Sequence, residues 1–296
     1  MQINFSKLSY LFENGWRYAT MKIFARLPLI KLNLAALVRL ISMQKAEDIR
    51  ESNFFRADCT LDNITQELKI NGFSVNISCK EKTLADLNEA AQLNKLYAYQ
   101  KKELAFDIGN KADFERNINQ DILIAHYANL NNIEVFKEIE KDPILMGIAK
   151  RYLGKNAKCI ASQMWWTFKA DVSNDVKSKA AHFYHRDLDA FQFMKFFIYL
   201  TDVDADDGAH FFVKGSHRPN LTHSFREKFR ISRVGDGKIK EWYGETNIIE
   251  MTGKAGSVIA EDTFGFHKGQ SPTNNARLLA CFVFANQDYG VQRFTV

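Results

Sequence analysis

Proline and cysteine are both scarce, with four of each in 296 residues. So little proline excludes polyproline spacers and mucin-like stalks. Cys59, Cys79, Cys159 and Cys281 lie far apart, so neither zinc-ligand spacing nor a CxxC redox pair exists. They read as small buried hydrophobes of a reduced, cytoplasmic protein. No uncharged apolar run approaches the roughly 18 residues of a membrane-spanning helix. A secretory signal is not expected either, because the basic residues are scattered through the N-terminal apolar stretch instead of preceding it.

Excess charge is missing from most of the chain. The net charge of +5 is contained in residues 1–40, where Lys7, Arg17, Lys22, Arg26, Lys31 and Arg39 face only Glu13. The remainder is neutral, which argues against a nucleic-acid-binding surface. Residues 1–45 read as a basic, apolar extension whose helix packs on the domain or touches an anionic membrane surface peripherally. Residues 46–296 read as one domain, since no linker, repeat or low-complexity tract divides them.

What is present is aromatic and β-forming. The 24 phenylalanines favour a β-rich core. Helical signals come first. Residues 61–72 form a helix closed by Gly72, and a strand follows at 73–77. A second helix is expected from a Thr83 cap, with Asp86 completing a capping box, and to run on to residue 104. A third begins at Asp142-Pro143 and ends at Gly154. Strands dominate afterwards, at 158–168, 191–200, 256–260 and 278–285, separated by Asp206-Asp207-Gly208, Lys214-Gly215-Ser216 and Gly253-Lys254-Ala255-Gly256. Helices followed by strands predict an α+β fold with a mainly β core.

The chemistry-bearing stretch is Ala181-His182-Phe183-Tyr184-His185-Arg186-Asp187. On an extended backbone, residues two apart share a face, so His185 and Asp187 can present nitrogen and oxygen to one metal while Arg186 points away. His267 follows a strand 82 residues later, and Arg277 stands ten residues beyond it, at the start of another. A guanidinium grips a carboxylate through two parallel hydrogen bonds. His182 and His185 are three apart, but without a cysteine pair or an HExxH helix a zinc reading has no support.

HxD, a distal His and then an Arg resembles the pattern of Fe(II)/2-oxoglutarate dioxygenases. The segment Leu200-Thr201-Asp202-Val203-Asp204-Ala205-Asp206-Asp207-Gly208 through Gly215-Ser216-His217 is similar to the phytanoyl-CoA dioxygenase family over about residues 60–290. Lys214 departs from the family's frequent proline before Gly-Ser-His, a loop difference. Gly-Ser-His itself reads as a structural turn, so His217 is left out of the metal set.

The resemblance implies a double-stranded β-helix (jelly roll) flanked by helices. It implies iron on His185, Asp187 and His267, and 2-oxoglutarate on Arg277, with Gln163 and Phe197 as further cosubstrate contacts. Trp165 and Tyr184 are candidates for the substrate pocket. O2 would be the oxidant, 2-oxoglutarate would become succinate, and hydroxylation is the usual outcome. Asp187 argues for oxygenation, because related halogenases carry a small residue at that place. The competing reading is a non-catalytic jelly-roll protein that binds the metal and 2-oxoglutarate without turnover; retention of all four residues counts against it. Residues 220–250 lie where a lid would be. Their Arg226, Lys228, Arg230 and Arg233 read either as a solvated charged face or as a lure for an anionic substrate, so the expected partner is a small or lipid-like molecule, anionic on the second reading.

Overall fold

The structure, a computed structural model, describes residues 15–25, 49–218, 233–290 and 294–296. Its strands are β1 (Phe55–Ala57), β2 (Phe73–Cys79), β3 (Leu96–Ala98), β4 (Ala105–Phe106), β5 (Ile124–Tyr127), β6 (Lys158–Thr167), β7 (Phe193–Tyr199), β8 (His210–Val213), β9 (Ile248–Met251), β10 (Ser257–Glu261), β11 (His267–Gly269) and β12 (Arg277–Ala285). A large sheet runs β1-β2-β10-β7-β12-β6-β5-β3-β4, and a small one runs β11-β8-β9. Every pairing between these strands is antiparallel. The two sheets form a double-stranded β-helix with helices packed outside the larger one.

The near-continuous apolar reading of β7 and β12 has a simple cause: both faces of the large sheet are covered. Met194, Phe196, Ile198, Phe282 and Phe284 pack with Leu61, Leu68, Ile144 and Ile148 of the helices Leu61–Asn71 and Pro143–Leu153. The alternate residues Phe197, Tyr199, Leu279 and Cys281 turn instead toward Phe212 and Met251 of the small sheet. Each fully buried Phe of this kind contributes about 1.5–3 kcal/mol by burial. The functional side chains emerge on this second face, between the sheets.

Helix ends follow local chemistry. Thr60 caps Leu61–Asn71 through Asn63 N–H, and Gly72 closes it at φ 92°. Asp142 accepts from Ile144 and Leu145 N–H ahead of Pro143. The expected second helix differs at both ends. It starts at Glu81 after Lys80, with Thr83 already inside it, because the Lys80 carbonyl accepts the first helical hydrogen bond, from Leu84 N–H at 2.9 Å. It stops at Leu93, because Leu96 and Ala98 are buried at strand spacing and pair with β5.

Of the N-terminal extension, residues 1–14 and 26–45 lie outside the described residues, as do residues 46–48 beyond it. Helix Trp16–Phe24 lies within them and inserts Tyr18 and Met21 into the core cluster shared with the small sheet. Among the described residues no helix is long and apolar enough to cross a membrane. Of the segment expected as a lid, residues 220–232 are also outside the described residues. Within the rest, Val234 pairs with Tyr184, a helix spans Asp236–Tyr243, and β9 completes the small sheet.

Candidate active site

The chain places His185 and His267 directly opposite each other. His185 N–H donates to the His267 carbonyl at 3.0 Å, and His267 N–H returns the bond at 3.1 Å. This isolated antiparallel bridge sets the imidazole centroids 4.2 Å apart. Each ring is locked by its own backbone: His185 Nδ1 lies 3.0 Å from the Phe183 carbonyl, and His267 Nδ1 lies 3.0 Å from that of Gly265. A carbonyl can only accept, so Nδ1 carries the proton in the neutral ring and Nε2 keeps its lone pair.

Both Nε2 atoms turn toward Asp187. His185 Nε2 is 3.6 Å from Oδ1 and His267 Nε2 is 3.4 Å from Oδ2. Among the described residues these three form the group whose ligand atoms all lie within 4.8 Å of one another. Asp187 N–H is fixed by the Thr263 carbonyl at 2.9 Å, so the carboxylate is held by the loop that precedes β11. Two imidazoles and one carboxylate on one side of an ion leave its other side open, the donor set of non-haem iron oxygenases.

The electrostatics are strongly coupled. Burial, then the neighbouring His267, pushes His185 well below the usual histidine range. Burial would lower His267 too, but Asp187, with Glu261 and the Gly265 carbonyl, more than offsets it and raises this imidazole. Burial would raise the Asp187 carboxyl; Lys195, His267 and His185 hold it well below the usual carboxylate range.

The triad opens into a cavity of about 580 Å³. That volume suits a small-molecule site. Arg277 lines it at 3% exposure. The guanidinium donates to the Gly208 carbonyl and, at 3.5 Å, to Thr167 Oγ1, while its Nε finds no acceptor. No carboxylate pairs with it among the described residues. Burial lowers its pKa from the usual arginine value. A buried, acid-free guanidinium fits an incoming carboxylate.

Gln163, Trp165 and Thr167 alternate along β6 opposite Cys281, Leu279 and Arg277, and all six line the cavity. Phe197 lines it from β7, 5.1 Å from the His210 ring. Trp165 stacks on His126 at 5.9 Å. His182 reaches the cavity wall with Nδ1 2.7 Å from Ser271 Oγ, apart from the triad. Tyr184 corrects the sequence reading. As the neighbour of His185 in an extended chain it faces the other way, 1% exposed, among Val213, Val234, Ile239 and Phe266.

Sequence reasoning missed three buried groups. Lys195 Nζ lies 2.8 Å from Asp187 Oδ2 and 2.9 Å from Asp189 Oδ2. His210 Nε2 lies 2.7 Å from Glu261 Oε2, and Glu261 Oε1 lies 3.9 Å from His267 Nδ1. Lys195 sat in an apolar strand and Glu261 ended one, so a charge in a buried strand was the available signal.

No protein of curated function matches the chain by sequence. Solved structures match the chain at low identity. The α-ketoglutarate-dependent epimerase SnoN from nogalamycin biosynthesis has a TM-score of 0.51 at 14% identity, covering 76% of this chain and 80% of its own. HygX from Streptomyces hygroscopicus, solved with nickel, 2-oxoglutarate and hygromycin B, has 0.48 at 14%, covering 75% and 86%. EctD from S. alaskensis has 0.49 at 17%, covering 86% and 85%. The family model for phytanoyl-CoA dioxygenase matches residues 68–276, a span that holds the HxD stretch and His267 and ends one residue before Arg277. The chain belongs to the phytanoyl-CoA dioxygenase family of iron- and 2-oxoglutarate-dependent oxygenases.

Proposed function

We propose that this chain hydroxylates a small molecule carrying an anionic group, with iron on His185, Asp187 and His267 and 2-oxoglutarate on Arg277. One observation carries the reading: a two-histidine, one-carboxylate cluster within 4.8 Å shares a cavity with a buried arginine that has no acid partner among the described residues. Bound iron supplies oxidation of a C–H bond by O2, coupled to conversion of 2-oxoglutarate to succinate and carbon dioxide.

The chain's own residues do the positioning. Nδ1 contacts fix both imidazoles with Nε2 inward. Arg277 and Thr167 anchor the distal carboxylate of the cosubstrate, and Gln163 and Phe197 flank it on neighbouring strands. Trp165 forms an apolar wall for substrate. Lys101 and Lys179 line the cavity as well and favour an anionic group, although Lys179 also pairs with Asp175 at 2.7 Å. Purified protein given Fe(II), 2-oxoglutarate and O2 should release succinate slowly without any substrate. Absence of metal binding together with absence of succinate overturns the reading.

The N-terminal extension would touch an anionic membrane surface peripherally. Its excess of basic residues supports this, as do Trp16 and Phe24, 71% and 44% exposed on helix Trp16–Phe24. Full-length protein should pellet with anionic vesicles and protein lacking residues 1–45 should not. The four free cysteines agree with a reducing, cytoplasmic setting.

A further inference from the structure

The sequence His185-Arg186-Asp187-Leu188-Asp189 repeats its spacing once more than a metal triad needs. From Arg186 onward burial alternates along it. Arg186 and Leu188 are buried at 5% and 4%, whereas the side chains of Asp187 and Asp189 keep 22% and 21% of their exposure. Asp189 thus stands on the same side of the chain as Asp187, and one lysine, Lys195, reaches both. Asp189 is a second carboxylate beside the metal ligands, yet it is not part of the convergent cluster.

The reason lies on β7. Lys195 is buried, and its ammonium bridges Asp187 Oδ2 at 2.8 Å and Asp189 Oδ2 at 2.9 Å. A side chain whose Nζ bonds both carboxylates is a clamp between them. It leaves Asp187 Oδ1 free on the side of His185 Nε2, 3.6 Å away. It also ties Asp189 to the sheet.

We infer that Lys195 holds Asp189 off the metal, and so keeps open the coordination positions that 2-oxoglutarate and O2 require. This rests on the metal-site reading above. A divalent ion held by this triad would need its remaining positions for a chelating cosubstrate and O2. A carboxylate two residues from a ligand would take part of that face if released, and would bind a divalent ion more tightly while doing so. Lys195 is therefore a positioning residue.

The test uses the full-length protein loaded with Co(II), whose visible absorption reports coordination number, and titrates 2-oxoglutarate into it. Lys195→Met should keep or raise Co(II) affinity while weakening 2-oxoglutarate binding by about tenfold or more. Asp189→Asn alone should leave both near wild type. Asp189→Asn combined with Lys195→Met should restore 2-oxoglutarate affinity and the wild-type spectrum. Unchanged 2-oxoglutarate binding in Lys195→Met overturns the inference, as does a double variant no better than the single. If Lys195→Met fails to fold, Lys195→Gln keeps hydrogen-bonding capacity without charge, and the same outcomes apply. Wild-type protein that binds no Co(II) overturns the metal site itself, a result separable from failure of the Lys195 role alone.

Discussion

The hydroxyl of Ser216 accepts the N–H of Phe266 at 2.7 Å, one residue before His267. The Ser216 carbonyl accepts from Arg186 at 2.9 Å, one residue after His185. Arg186 in turn lies over the Phe266 ring at 4.3 Å, and His217 Nε2 is 3.2 Å from the Lys69 carbonyl. The Gly-Ser-His turn is thus a clasp joining both histidine-bearing segments to the end of helix Leu61–Asn71. Ser216→Ala strands a buried N–H and should destabilise the protein by about 1–3 kcal/mol. Thermal denaturation should show the melting point falling by roughly 2–4 °C for each kcal/mol. An unchanged melting point removes the clasp.

The histidines divide sharply by position. His185→Ala and His267→Ala should each abolish measurable Ni(II) binding, since each removes one of the convergent ligand atoms. His182→Ala should keep it, because His182 bonds Ser271 and stands apart from the triad. Isothermal titration with Ni(II) distinguishes the three variants. Loss of metal in His182→Ala would show that the ligand set has been drawn wrongly.

Arg277→Lys keeps the charge and loses the fork. Only the planar guanidinium can donate two parallel bonds to a carboxylate, so KM for 2-oxoglutarate should rise by about tenfold or more, some 1.4 kcal/mol of lost binding. Iron affinity should stay close to wild type, because Arg277 is not among the convergent ligands. Succinate release measured against 2-oxoglutarate concentration checks this; a fall in kcat at unchanged KM contradicts it.

Much of this site was legible because its parts obey local rules. His185 and Asp187 share a face by strand periodicity, and Gly72 and Asp142 mark helix ends by capping chemistry. Tertiary context decided the rest. Tyr184 looked like a pocket residue from its neighbours, but alternation turns it into the cluster around Phe266. The expected helix through residue 104 lost its last part to strand pairing of Leu96 with Phe106 and Tyr127. Lys195 and Glu261 are paired in register across β7 and β10, yet each bonds elsewhere, to Asp187 with Asp189 and to His210. Such partners lie far apart in sequence, and no local period announces them.

Acid sensitivity should come from neutral histidines as well as from carboxylates. Burial depresses His126 to about 4. Burial, with help from the nearby Arg277 and Lys177 charges, depresses His182 to about 3. Unfolded, each titrates near 6.5. Between these values the unfolded chain binds more protons than the folded one, so stability falls as pH falls. The contribution is fully present above about pH 6.5 and is lost progressively toward pH 4 for His126 and pH 3 for His182. One such proton is worth about 1.4 kcal/mol per pH unit, on the order of 3 kcal/mol for His126 over its whole window. His126→Gln removes that proton. It also loses the stack on Trp165, so its stability at pH 7 should drop. Its decline between pH 6.5 and 4 should nevertheless be shallower than that of wild type. Urea midpoints taken at intervals across this range, with a chelator present, measure both slopes. Parallel curves would mean that His126 is not held neutral by burial.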